Sequence, residues 1–129
     1  GIEHARERTA IAGASMGGLA SMYLVAKYPD VFGAALCFST HWILGHTYMF
    51  QELTDLMPDA GKHKIYTDAG TQDWDMFYQR FHHGAVAALQ AKGYVRDKDL
   101  MYGTFPGTGH DESAWAARLH LPINWWLKG

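Results

Sequence analysis

The sequence predicts an α/β fold, about four parallel strands with helices on both faces, and three observations carry that prediction. Short apolar runs alternate with longer segments of helical periodicity along the chain. The length, 129 residues with 48% hydrophobic and 14% aromatic residues, suits a single domain, residues 1–129, that buries about two-thirds of its unfolded surface. Polar and glycine-rich residues gather directly after each apolar run, and ligands of parallel sheets bind outside the carboxyl ends of the strands.

Taken in order, residues 9–12 (Thr-Ala-Ile-Ala) read as a first strand. A helix follows over 15–27 and stops at Tyr28-Pro29-Asp30, because proline cannot continue it. Residues 34–39 form the second strand. Its core, Ala34-Ala35-Leu36-Cys37-Phe38, makes Cys37 a buried thiol rather than a reactive one. The stretch 41–62 is irregular, with one short helix around 48–56. Residues 63–68 are the third strand and 69–74 a loop. The helix expected over 75–92 carries Met76, Phe77, Phe81, Ala85, Ala88 and Leu89 at helical spacing, closed by Gly93. Residues 100–105 form the fourth strand, 106–109 a turn, and 112–127 a last helix kinked at Pro122.

Composition removes several functions. A net charge of −2 provides no electrostatic footprint for nucleic acid and no basic face for a membrane. A single cysteine excludes an internal disulfide. No stretch approaches 18 apolar residues, and residues 1–8 are charged and polar rather than a signal peptide, so a cytoplasmic location is the default expectation. No internal repeat or low-complexity segment is present.

The chemistry centres on Gly13-Ala14-Ser15-Met16-Gly17, a G-x-S-x-G between the first strand and its helix. A serine on such a sharp turn is held in a strained conformation with its hydroxyl clear of the sheet. The two glycines are expected to leave room for neighbouring backbone. The helix N-terminus, with the Met16 amide first, points at the place where an oxyanion would form. An ordinary glycine-rich turn is the bland alternative, and the flanking strand and helix weigh against it.

A serine hydroxyl needs a base, and the base needs an acid to hold its tautomer. His110, in Pro106-Gly107-Thr108-Gly109-His110 directly after the last strand, is the expected base. His4, His46, His63, His82, His83 and His120 sit on wrong elements or lack an anchor; His41 is on the correct edge and would line the pocket. The loop after the third strand offers Asp68, Asp73 and Asp75. Asp68 ends the strand and suits backbone hydrogen bonds, and Asp75 suits a helix cap. Asp73, on the loop tip, is favoured as the acid. The adjacent pair His82-His83 lacks metal-ligand spacing, and no phosphate-cradling loop occurs, so neither a metal nor a cofactor is expected.

These segments resemble the putative-esterase family of α/β-hydrolases, which includes feruloyl and acetyl-xylan esterases, S-formylglutathione hydrolases, siderophore esterases and mycolyltransferases. The matching residues are Ala12-Gly13-Ala14-Ser15-Met16-Gly17-Gly18 with its helix ending at Tyr28-Pro29-Asp30-Val31-Phe32, then Asp68-Ala69-Gly70-Thr71-Gln72-Asp73, then Pro106-Gly107-Thr108-Gly109-His110-Asp111 with Trp115 behind. The resemblance implies the C-terminal half of such a fold, its last four strands. It again selects Asp73, three residues after the loop glycine, as the acid. The missing half would normally supply the second oxyanion-hole amide.

The leading expectation is a serine carboxylesterase working on a small-molecule ester through an acyl-enzyme. Ser15 would be the nucleophile, His110 the base, Asp73 the acid and the Met16 amide an oxyanion donor, with His41, Trp42 and Trp74 in the substrate pocket. Tyr48 and Phe50 add to the aromatics expected on that edge. A non-catalytic half-domain held together by self-association, and an acyltransferase using the same residues, are the alternatives. The open edge of the first strand means either that the chain is a fragment or that another chain covers it, and the second alternative leads to a further expectation, a homodimer or higher oligomer paired through that strand.

Overall fold

A computed structural model describes residues 5–43 and 47–128, with backbone alone for 47–49. Four strands, β1 (Ala10–Ala14), β2 (Ala34–Phe38), β3 (Lys64–Gly70) and β4 (Leu100–Phe105), form one parallel sheet in the order β1-β2-β3-β4. Ala10 lies beside Ala34, Ala34 beside Lys64, and Ile65 beside Leu100. All four carboxyl ends therefore share one edge. Between the strands run α1 (Met16–Lys27), α2 (Thr47–Leu56) and α3 (Gln79–Ala91), and after β4 come α4 (Glu112–Arg118) and α5 (His120–Leu127).

Alternation along the strands sorts their side chains between two layers. Ala35, Cys37, Ile65 and Leu100 face Leu19, Met22 and Val25 of α1, Leu53 of α2, and Ala85, Val86 and Leu89 of α3. Leu36, Phe38 and Tyr66 face the other way, against Trp115 of α4 and Ile123, Trp125 and Trp126 of α5. Both faces of the sheet are thus covered by helices. β2 is buried at every position. The Cys37 thiol has no exposure, and burial pushes its pKa up.

Local chemistry explains the helix ends. Pro29 forces Tyr28 out of the helical region, so α1 closes there. Gly93, at φ +105°, allows α3 to end in a Schellman motif, with the Tyr94 amide on the Leu89 carbonyl and the Gly93 amide on that of Gln90. The Asp111 carboxylate caps α4 by accepting from the Ala114 amide at 2.8 Å.

Several boundaries differ from the sequence reading. β1 continues through Gly13 and Ala14, and β3 through Ala69 and Gly70, because ladder bonding extends past the apolar runs. The helix expected over 75–92 is two pieces, a 3-10 segment Asp73–Phe77 followed by α3. The last helix breaks at Leu119 rather than at Pro122. Pro122 lies in the first turn of α5, where its missing N–H costs nothing, while its ring would clash with the Arg118 carbonyl in a continuous helix.

His82 is buried on α3. Burial holds its imidazole below the ordinary value of 6.5. The Thr67 backbone and the Asp68 and Asp75 carboxylates draw it partly back, and His83 opposes them. The unfolded chain therefore binds a proton that the folded one refuses. This contribution to stability is complete above the unfolded value and is lost as pH falls below it. Urea midpoints followed from about pH 7.5 to pH 5 should fall more steeply for the native protein than for His82→Leu. Parallel declines would contradict this assignment.

Candidate active site

Ser15 joins β1 to α1 at φ 59° and ψ −121°, a conformation that L residues rarely adopt. The surroundings fix it: its amide donates to the Phe38 carbonyl at 2.9 Å, and its carbonyl accepts from the Gly18 and His41 amides. A side chain at Gly13 would run into the Gly17 backbone, so that glycine is required as expected. Gly17 itself faces open space. The second close approach belongs to Gly18, where a methyl would meet Thr40.

The Ser15 hydroxyl lies 3.0 Å from His110 Nε2, and His110 Nδ1 lies 2.7 Å from Asp75 Oδ1. With Nδ1–H donating to the carboxylate, the Nε2 lone pair is left to accept the serine proton. Three loops meet here, one from each of β1, β3 and β4. The last two are tied together, since the Thr71 and Gln72 amides both donate to the Thr108 carbonyl and the Gly107 amide donates to Thr71 Oγ1. The imidazole packs edge-on against Trp115 and Tyr78.

The carboxylate on His110 is therefore that of Asp75 and not that of Asp73. Asp73 takes φ +53° at the loop tip, and among the described residues its Oδ2 reaches only the His110 backbone amide, at 3.4 Å. Asp75 does not cap α3; it is fully buried, and its Oδ2 accepts from Ser39 Oγ at 2.5 Å and from the Gly70 amide at 2.6 Å. The 3-10 segment makes the difference: it turns residue 75 inward beneath the imidazole and residue 73 outward.

His41 Nδ1 lies 2.6 Å from the Tyr78 hydroxyl, and burial with the nearby His110 lowers the pKa of His41. Trp74 is 59% exposed and lines a cleft with Asp73, Met76, Phe77 and His110. Trp42 is not in the pocket. It has no exposure and belongs to the core on the α1–α3 face, and the partly buried Phe50 of α2 packs against that core. His4, His46 and the Tyr48 side chain lie outside the described residues. His63 lies at the far edge, its Nε2–H donating to the Pro29 carbonyl at 2.6 Å. The Met16 amide begins α1, where first-turn N–H groups have no helical acceptor.

Tyr78 escaped the sequence reading. Its side chain is buried between His41 and His110, with its hydroxyl 2.6 Å from His41 Nδ1. Burial raises its pKa, the nearby Ser15 hydroxyl opposes this, and Asp75 adds to the rise. Among the described residues, no group of three or more His, Cys, Asp or Glu side chains could hold a metal ion.

A parallel sheet with a serine corner, an imidazole and a buried carboxylate at its carboxyl edge places the chain among the α/β-hydrolase folds. More closely, it belongs to the putative esterase family, whose model matches residues 2–122. Similar solved structures include an enterochelin esterase from Shigella flexneri, at TM-score 0.78 and 22% identity, covering 98% of this chain and 32% of that one. A ferulic acid esterase matches at TM-score 0.72 and 17% identity, covering 98% and 53%. An S-formylglutathione hydrolase from Staphylococcus aureus matches at 0.73 and 18%, again covering 98% and 53%. The likeness to these structures is one of fold, and the chain spans about a third to a half of their length. No curated protein matches the chain.

Proposed function

We propose that the chain carries the acyl-transfer centre of a serine carboxylesterase, with Ser15 as nucleophile, His110 as base and Asp75 as the acid. One observation carries this reading: the continuous hydrogen-bond line from Ser15 Oγ through His110 to Asp75. Ser15 Oγ attacks the ester carbonyl as Nε2 takes its proton, and Asp75 stabilises the imidazolium that forms. The Met16 amide, at the positive end of α1, donates to the oxyanion. Collapse expels the alcohol with the proton from Nε2, leaving Ser15 acylated. Water then attacks with His110 as base again, releasing the acid. The exposed Trp74 and Phe77 rings, 6.1 Å apart beside His110, suit an apolar or aromatic group of the ester. A fluorophosphonate probe should label the chain at one site, and peptide mapping should find the adduct on Ser15. An unlabelled or elsewhere-labelled folded protein would refute the reading.

A second proposal concerns assembly. Among the described residues β1 pairs with β2 alone, so its other side presents unpaired amides and carbonyls. The 129-residue chain on its own would cover that edge with β1 of a second copy, joining the two sheets across a two-fold axis. The neighbouring copy could then contribute an oxyanion donor that Met16 alone does not provide. Sedimentation at micromolar concentration should give a dimer, and a compact folded monomer would exclude it.

A further inference from the structure

Behind Asp75 lies a buried polar cluster that the reaction as described does not use. Asp68 and Arg118 are 0% and 3% exposed. Arg118 grips Asp68 with both prongs, Nε to Oδ2 at 2.7 Å and an Nη to Oδ1 at 2.9 Å. Tyr66 donates to the same carboxylate. The Nη that bonds Asp68 Oδ1 also reaches Ser39 Oγ, at 2.9 Å, and the other Nη reaches Thr108 Oγ1, two residues before His110. Trp115 Nε1 donates to Ser39 Oγ as well, at 2.8 Å.

The Ser39 hydroxyl has one proton and two lone pairs. Arginine and indole nitrogens can only donate, so they occupy both lone pairs. The single proton is then committed to Asp75 Oδ2, 2.5 Å away. The residue's backbone is fixed too: it takes φ +42°, with its amide donating to Asp68 Oδ1 at 2.8 Å. Nothing in this arrangement leaves the hydroxyl free to rotate.

We propose that Ser39, oriented by Arg118 and Trp115, is the positioning residue that holds the Asp75 carboxylate square to His110 Nδ1. The inference rests on the proposed Ser15–His110–Asp75 centre. Asp75 Oδ2 is pinned by two donors, Ser39 Oγ and the Gly70 amide, which leaves Oδ1 aimed at the imidazole. Losing the hydroxyl removes one of the two pins and admits rotation of the carboxylate about its last bond.

Ser39→Gly tests this, because glycine accepts φ +42° without strain while the hydroxymethyl group, with its hydroxyl, is removed. Two readouts are followed: the downfield proton resonance of His110 Nδ1–H, identified by its absence in His110→Gln, and the rate of fluorophosphonate labelling. The resonance should broaden into exchange with water and labelling should slow at least tenfold, while the circular dichroism stays native. Ser39→Cys, which keeps a weak donor, should restore part of both and serves in place of the glycine variant should that one not fold. A resonance as sharp as in the native protein, or labelling within about twofold of it, overturns the proposal. Native protein that is not labelled at all defeats the esterase reading instead, and the resonance still reports on Ser39.

Discussion

Ser15→Ala should abolish ester hydrolysis and fluorophosphonate labelling while leaving the fold intact. Alanine keeps the Cβ that already occupies the strained corner, and the backbone bonds that hold the corner, from the Ser15 amide to Phe38 and from the His41 amide to the Ser15 carbonyl, do not involve the hydroxyl. Only the hydroxyl proposed as nucleophile goes, so the loss is expected to be roughly 10⁴-fold or more in turnover of a short-chain p-nitrophenyl ester, with unchanged thermal unfolding. His110→Ala should be as severe, because residues that work as a unit fail together. Residual activity above one-tenth in Ser15→Ala would remove this serine from the mechanism.

Asp75→Asn should be far more damaging than Asp73→Asn. The Asp75 carboxylate accepts from three directions, His110 Nδ1 on one oxygen and Ser39 and Gly70 on the other. An amide can satisfy only one of these sides. If its oxygen stays with Ser39 and Gly70, its NH₂ faces Nδ1 and forces the proton onto Nε2, the tautomer that cannot accept from Ser15. A fall of about 10³–10⁴ in kcat is expected, as for a triad whose histidine is held in the wrong tautomer. Asp73 makes only the long contact to the His110 amide, and asparagine tolerates its positive φ, so Asp73→Asn should stay within roughly tenfold of the native rate. The opposite order in a kinetic comparison of the two variants would return the acid to Asp73.

The contrast between those two aspartates marks where sequence reasoning stops. Residues 73 and 75 share one loop, both are short acids, and both lie within reach of the His110 turn. Which one touches the imidazole depends on a single 3-10 turn, and the sequence reads there as a loop running into a helix because Met76 and Phe77 continue the apolar spacing of α3. Trp42 failed for a related reason: position after β2 put it at the right edge, but whether an aromatic at that edge points into a cleft or into the core is a packing outcome.

By itself, the sequence determined the parallel α/β sheet, the strand–serine–helix corner at Ser15 and the placement of His110 after the last strand. These follow from local signals: apolar runs, glycines where backbone must pass closely, prolines that stop helices. Only the tertiary structure decided what lies behind the imidazole. Asp75 with Tyr78, Ser39 and Arg118 come from three separate segments and meet their partners through hydrogen bonds spanning 35 to 79 residues. No periodicity records such a meeting, because a buried hydrogen bond depends on the angle at which packed elements deliver two side chains, and that angle is set by the whole core.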